Sequence, residues 1–307
     1  MCAAGSFGDD CSQSAKGIAM FDWWHQRYAR RDVRAVAQAA GKTPYVVVTG
    51  GSDGIGLEIA RLFRRDGHSV LLIARTEARL QAAAVALHHG DGAKVAVLAL
   101  DITSASAVDQ IDQALDRLGG YVDVLVNCAG IGASGAFADQ SPEEQSKLID
   151  LNVRALATLS RHVLPGMRAR GRGGLLNVAS LGGFAPGPYQ AAYYASKAFV
   201  ISLTEALAFE HRGQGLAITV VAPGPVRTAF HGRMAAENGL YLRLLPVHSA
   251  EAVARSAYRG YLRGQWVVVP GLINNIMVIG MLITPHRLLL PIMEWLLDPR
   301  RSSPPRG

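Results

Sequence analysis

Cysteine is scarce in this chain: three residues, Cys2, Cys11 and Cys128, among 307. They form no C-x-x-C pair and are too few for a disulfide framework, which excludes a cross-linked scaffold and a cysteine-rich zinc site. The nine histidines contain no H-E-x-x-H motif, and no internal repeat runs through the chain. The first twenty residues carry neither a basic leader nor an apolar core, so no secretory signal is expected. With the cysteine usage, this fits a reducing, cytoplasmic compartment. Charge is sparse as well, at 18% of residues, and the net +7 is spread over the ends and the middle without a Lys/Arg block. Nucleic acid is therefore not the expected partner.

What is present is apolar. Half of the residues are hydrophobic and 33 are glycine, a composition that excludes a disordered chain and supplies a large core. Short β-branched runs at Tyr45–Thr49, Ser69–Ala74, Lys94–Ala99, Val122–Asn127, Leu175–Ala179, Leu216–Val221 and Trp266–Val269 alternate with helical patterns such as Leu57–Arg65 and Ser104–Leu118. Continuous apolar strands separated by helices mean a parallel sheet covered on both faces. The expected fold is an α/β, doubly wound, Rossmann-type sheet of about seven strands over residues 44–270. Ser141-Pro142-Glu143-Glu144 reads as a capping box opening a helix. Residues 228–249 form a long connection without period, of the kind that closes over a substrate.

The ends differ from this middle. Within the extension 1–43, Phe21–Ala40 reads as a basic amphipathic helix, packed on the domain or a second subunit, with interfacial membrane contact as the alternative. Gly264–Pro285 runs 22 residues without a charge, long enough to cross a bilayer. Pro270, Gly271, Asn274 and Asn275 interrupt it, however, and Trp266–Val269 is needed as the seventh strand. A strand followed by an apolar helix, lining the substrate cleft or touching a membrane, is the expectation for the extension 271–307.

The first strand runs into Thr49-Gly50-Gly51-Ser52-Asp53-Gly54-Ile55-Gly56 and then a helix. Glycines there let the backbone turn and approach a pyrophosphate seated on helix N–H groups. An acidic residue at the end of strand two would select NAD(H) through the ribose hydroxyls. Arg75 stands there instead, and its guanidinium matches a 2′-phosphate, so NADP(H) is favoured over NAD(H). A salt bridge from Arg75 to Glu77 is the purely structural alternative.

In Tyr193-Tyr194-Ala195-Ser196-Lys197, Tyr193 and Lys197 are one helical turn apart. A phenol is too weak an acid for proton transfer near neutrality, and an ammonium beside it lowers its pKa. Tyr194 also reaches Lys197 at i+3, so spacing does not choose between the tyrosines. Ser180 ends strand five, where a hydroxyl either orients a substrate carbonyl or caps the loop starting at Leu181.

With these residues in order, the chain resembles a short-chain dehydrogenase/reductase. The matching elements are Thr49–Gly56, Asp101, Asn127-Cys128-Ala129-Gly130, Asn152, Ser180, Tyr193 with Lys197, and Pro223-Gly224-Pro225-Val226-Arg227-Thr228. The resemblance implies that Tyr193 is the general acid/base, that Lys197 contacts the nicotinamide ribose and tunes Tyr193, and that Ser180 holds the carbonyl oxygen. It further implies that Asn152 supports a proton-relaying water, Asp101 meets the adenine and Thr228 the carboxamide. Asn127, Ala129, Gly130, Pro223, Gly224 and Val226 would complete the cofactor cleft. It implies no metal, and a homo-oligomer. Cys128 departs from the usual second asparagine, and a thiol there would make cofactor binding sensitive to alkylation. Tyr194 stands where a small residue is frequent, and would narrow the pocket. Asp53, with Ser249-Ala250-Glu251 and the apolar tail, resembles reductases of long-chain 3-oxoacyl thioesters and hydroxysteroids.

The expected function is NADP(H)-dependent interconversion of a ketone and a secondary alcohol, on a fatty-acyl, steroid or terpenoid substrate. The alternatives are an NAD-dependent alcohol dehydrogenase, a nucleotide-binding sensor without turnover, and a membrane-surface protein in which catalysis is secondary.

Overall fold

The computed structural model describes residues 41–88, 93–227, 241, 245 and 247–301. The expected helix Phe21–Ala40, Cys2, Cys11, Thr228 and most of the connection 228–249 lie outside these residues. The strands are β1 (Thr43–Thr49), β2 (Ser69–Ala74), β3 (Val95–Ala99), β4 (Gly120–Asn127), β5 (Gly173–Val178), β6 (Leu216–Val221), β7 (Val226–Arg227), β8 (His248–Ser249) and β9 (Val267–Val268). Seven of them form one sheet in the order β3-β2-β1-β4-β5-β6-β9, while β7 and β8 pair separately. Every neighbouring pair is parallel. The apolar runs read from the sequence thus became the strands of the expected doubly wound sheet.

The helices are α1 (Gly54–Arg65), α2 (Glu77–Leu87), α3 (Ala107–Arg117), α4 (Pro142–Ile149), α5 (Leu156–Arg170), α6 (Ala191–Glu210), α7 (Ala250–Leu262), α8 (Leu272–Ile283) and α9 (His286–Leu297). Alternation along β1 divides the core. Val46 and Val48 pack with Ile59 and Phe63 of α1 and Val253 and Ala257 of α7. Tyr45 and Val47 pack on the other face with Ile111 of α3 and Leu159 and Met167 of α5. A strand buried on both faces has no polar side to show, which is why the runs read as continuous. Each such aliphatic side chain contributes about 1.5–3 kcal/mol of burial.

Polar groups inside the sheet are used as clips. Asn127 Nδ2 donates to Asn177 Oδ1 (2.9 Å) and Ser160 Oγ (3.1 Å), and Asn177 Nδ2 donates to Thr204 Oγ1 (2.9 Å). These bonds tie β4 and β5 to α5 and α6, the helix that carries the Tyr-Lys pair. Nearby, the Arg172 guanidinium grips the buried Asp123 carboxylate through two 2.8 Å bonds. At α4, Ser141 Oγ accepts from Glu144 N at 3.4 Å with Pro142 in the first turn. The capping box is half-formed, because the Ser141 hydroxyl donates to Glu143 Oε2 at 2.6 Å and Glu144 does not reach back.

After β9 the chain turns at Gly271 (φ +90°) into the hairpin of α8 and α9. Asn274 anchors α8: its Nδ2 donates to Pro270 O at 2.7 Å and lies 3.2 Å from His248 Nε2. Leu289, Met293 and Leu297 of α9 pack on Ala185, with Tyr194, Tyr241 and Met281 around them. No described helix is long and apolar enough to cross a membrane.

Candidate active site

The sheet order reverses between β1 and β4, and a cleft of about 800 Å³ opens there, beyond the strands' C-terminal ends. Its near wall is the glycine loop. Gly50 takes φ +67°, and a Cβ on it would stand 2.9 Å from Ala129 N. A Cβ at Gly56 would meet Gly50 O at 2.4 Å, so the loop closes only without side chains at these two positions. Asp53 caps α1, its Oδ1 accepting from Gly54 N at 2.7 Å. Gly50, Ser52, Asp53, Gly54 and Ile55 line the cleft at the positive end of α1. A backbone cradle of this shape fits a pyrophosphate.

One end of the cleft is cationic. Arg75 and Arg79 line it with Thr76 and Asp101. Arg75 is exposed, and among the described residues no carboxylate lies within salt-bridge distance of Arg75 or Arg79, so the Arg75–Glu77 pair is not formed. Asp101 Oδ1 accepts from the Thr103 amide (2.9 Å) and hydroxyl (2.7 Å). These bonds, helped by the Arg75 charge, hold its carboxyl below the usual range.

The other end carries the hydroxyls. Ser180 follows β5 and caps a short 3-10 turn, its Oγ accepting from Gly182 N at 3.2 Å. The same hydroxyl lies beside the phenol of Tyr193, on the first turn of α6, and draws its pKa downward. Ser180 therefore caps the loop, as one of its two sequence readings had it, with its hydroxyl also facing the cleft. Lys197 Nζ lies 5.8 Å from the Tyr193 ring centre and donates to Val178 O at 3.0 Å. Burial pushes the Tyr193 phenol up to about 12, with the Ser180 hydroxyl pulling the other way, and pushes the Lys197 ammonium down to about 8. The depression of Tyr193 argued from its lysine neighbour is thus corrected: desolvation outweighs it, and the ammonium spends a bond on a carbonyl. Tyr194 makes no bond to Ser180. Its half-buried ring lies 6.0 Å from that of Tyr193 and 3.1 Å from where a Cβ at Gly182 would stand. That contact separates the two tyrosines where spacing did not, and Tyr194 does line the pocket.

Asn152 sits in a π-helical turn, Asp150–Ala155, between α4 and α5. Its Oδ1 accepts from Ile131 N (2.9 Å), and its Nδ2 donates to Ile131 O (2.8 Å) and Ser196 Oγ (3.1 Å). A Cβ at Gly130 would lie 3.2 Å from Asn152 Oδ1 and 3.5 Å from Lys197 Nζ, so the bare glycine brings amide and ammonium to one point.

Ala129, Gly130, Pro223, Gly224 and Val226 line the cleft, as do Ser180, Tyr193 and Lys197. Thr49, Gly56, Asn127 and Asn152 lie behind its surface. Thr49 Oγ1 accepts from Cys128 N (3.1 Å) and Ala129 N (3.3 Å), pinning β1 to the loop after β4. Asn127 is a sheet clip rather than a cleft residue, because its amide points into the helix layer. The thiol of Cys128 lines the cleft, but burial pushes it up to about 11, so it stays protonated and the expected alkylation sensitivity has no nucleophile behind it. Sequence reasoning missed Arg79 and the buried Gln190; it expected an apolar C-terminal helix to line the cleft but did not name the residues of that wall, Met277, Met281, Met293 and Leu296. Only the i, i+4 spacing of Met277 and Met281 hinted at those residues, within a helix apolar nearly all round.

Three comparisons bear on this geometry. The family described as short chain dehydrogenase matches residues 44–239. A short chain dehydrogenase of Pseudocercospora fijiensis is 39% identical over 64% of this chain and 63% of its own length. A 17-beta-hydroxysteroid dehydrogenase type 3 of Danio rerio is 36% identical over 61% of this chain and 62% of its own length. The chain thus spans less than two thirds of either of these relatives. Among solved structures, a short-chain dehydrogenase from Sphingobium yanoikuyae in complex with NADPH is 32% identical, with TM-score 0.69, over 81% of this chain and 95% of that one.

Proposed function

The chain belongs to the short-chain dehydrogenase family, and on that premise we propose that it is an NADP(H)-dependent oxidoreductase interconverting a lipophilic ketone and its secondary alcohol. The observation that carries this reading is the adjacent pair of hydroxyls on Ser180 and Tyr193, facing the cleft beside Lys197. Two hydroxyls converging on one point can both donate to a carbonyl oxygen and stabilise the charge that grows there. A bound nicotinamide would supply hydride to the carbonyl carbon. Tyr193 is the proton donor, because with a pKa of about 12 the phenol stays protonated throughout the neutral range. Lys197 stands behind it, where its ammonium can pass a proton to the phenol, and Asn152 would support the water that resupplies the lysine.

Arg75 and Arg79 support the choice of NADP(H), being two cleft guanidiniums without carboxylate partners among the described residues. The similar Sphingobium yanoikuyae structure contains NADPH. The lipophilic substrate is supported by the methionine-rich wall opposite Tyr193 and by the likeness to a hydroxysteroid dehydrogenase. The test is fluorescence titration of the purified full chain with NADPH and NADH, followed by a ketone panel graded in chain length. Tighter NADPH binding, with turnover rising along the panel, is expected. Turnover concentrated on small polar ketones would overturn the substrate class, and failure to bind either nucleotide would overturn the whole reading.

A further inference from the structure

The two helices that wall the cleft show their other side to solvent, and that side is apolar. On α8, Leu272 (77%), Ile276 (61%), Ile279 (58%) and Ile283 (76%) are exposed along one stripe, with Ile273 and Leu282 beside it. On α9, Leu288 (64%), Ile292 (58%) and Trp295 (46%) continue it. Lone exposed aliphatic residues are ordinary, but a contiguous set on two adjacent helices marks a docking surface.

We propose that the α8–α9 hairpin docks in the headgroup–acyl boundary of an anionic lipid bilayer. Three observations choose lipid over a second copy of the chain. Along the two helices the formal charges are Arg287, exposed in the first turn of α9, and Glu294 at its far end, with no acid from residue 264 to residue 293. Among the described residues no carboxylate pairs with Arg287, which leaves its cation for lipid phosphate. At the far end of α9 stands Trp295, an amphipathic ring of the kind that settles at the headgroup level. Finally, α8 has 12 residues, about 18 Å of helix against the roughly 30 Å of a bilayer core, so it lies in the interface rather than crossing it.

The same helices present Met277, Met281 and Met293 to the cleft. A lipophilic ketone dissolved in the bilayer would therefore reach the site past the hairpin, without crossing water. This second step rests on the ketone reductase reading; the docking itself does not.

The test is co-sedimentation of the full chain with vesicles of phosphatidylcholine alone and of phosphatidylcholine mixed with phosphatidylglycerol. The expected result is pelleting with the mixed vesicles and a drop of about tenfold or more in partitioning for the variant Ile276→Glu/Ile279→Glu/Ile283→Glu. These side chains contact neither cleft nor core, so the variant's NADPH titration and thermal midpoint serve as its folding controls. A second variant, Trp295→Phe, reads out the contact: the vesicle-induced blue shift of tryptophan emission should shrink. Pelleting unchanged in the triple variant would place binding elsewhere in the chain and overturn the proposal. No pelleting with either vesicle would overturn it too, as would a dimer dissociated by the triple variant without vesicle binding. Pelleting as expected but with no ketone turnover would leave the docking surface standing and defeat the ketone reductase reading instead.

Discussion

The cleft has two halves built from different materials. Its nucleotide half is backbone: a glycine loop held by Thr49, a capped helix start, and two arginines at the rim. Its substrate half is side chain: Tyr194, Met277, Met281, Met293 and Leu296, contributed by α6 and the C-terminal hairpin. Backbone geometry tolerates almost no change, since a Cβ at Gly56 would stand 2.4 Å from Gly50 O. Methionine walls repack with little cost. One half is built to hold one ligand in one pose, and the other to accept a class of shapes. Between them lies the Ser180–Tyr193 pair, the point at which the two ligands would have to meet.

The sharpest way to break this division is at that seam. Tyr193→Phe removes the proton donor and leaves both walls intact. Turnover should fall about 10²–10⁴-fold, as for loss of a general acid, with NADPH binding little changed by titration. A large loss of binding would mean that Tyr193 belongs to the nucleotide half. Next in size is Arg75→Ala. Loss of a charge-assisted bond to a 2′-phosphate, about 1.5–3 kcal/mol, should weaken NADPH about tenfold to a hundredfold and leave NADH unchanged. Equal loss for both nucleotides would move Arg75 away from the phosphate.

The same division explains what was legible in the sequence. The glycine loop, strand ends and Tyr-Ser-Lys set could be read because each depends on local chain direction. Gly50 must turn where β1 stops, and Lys197 must follow Tyr193 by one helical turn. That an apolar C-terminal helix lines the cleft could be expected too, but not which of its faces does so, because apart from Asn274 and Asn275 α8 is apolar all round. Packing decides that: Asn274 lies under the Pro223–Pro225 turn, where a Cβ at Gly224 would stand 2.9 Å from its amide, and so fixes the rotation of α8. Asn127 was misplaced for a related reason. Its position at the end of β4 was right, but the sheet's own need to tie β4 to β5 claims its amide. The direction of the Tyr193 shift was also out of reach, since desolvation depends on which residues close over the ring.

Two smaller effects sharpen the comparison. Met277→Ala removes a flexible wall residue of the substrate half. At about 0.8 kcal/mol per lost methylene contact, KM for long-chain ketones should rise several-fold to about tenfold, while KM for short ones and the NADPH Kd stay put. A matching change in nucleotide affinity would show the halves to be coupled through α8.

The smallest effect is a pH limb. Burial holds Lys197 down to about 8, so its cation is present near neutrality and is lost as pH rises through that value. Tyr193, up at about 12, stays protonated across the same range. Reductive turnover should therefore decline above about pH 8, toward tenfold per unit where the lysine charge is essential. Lys197→Arg, whose guanidinium does not titrate there, should remove that limb even at a lower maximal rate. The linked stability runs the other way. A lysine whose folded pKa is depressed below its unfolded value of about 10.4 gives the unfolded chain the extra proton between the two values, so the folded state gains stability as pH rises through that window. Denaturant midpoints across it should rise for the wild type relative to Lys197→Met. A falling activity on a chain growing no less stable would assign the limb to the proton path behind Tyr193 and not to unfolding.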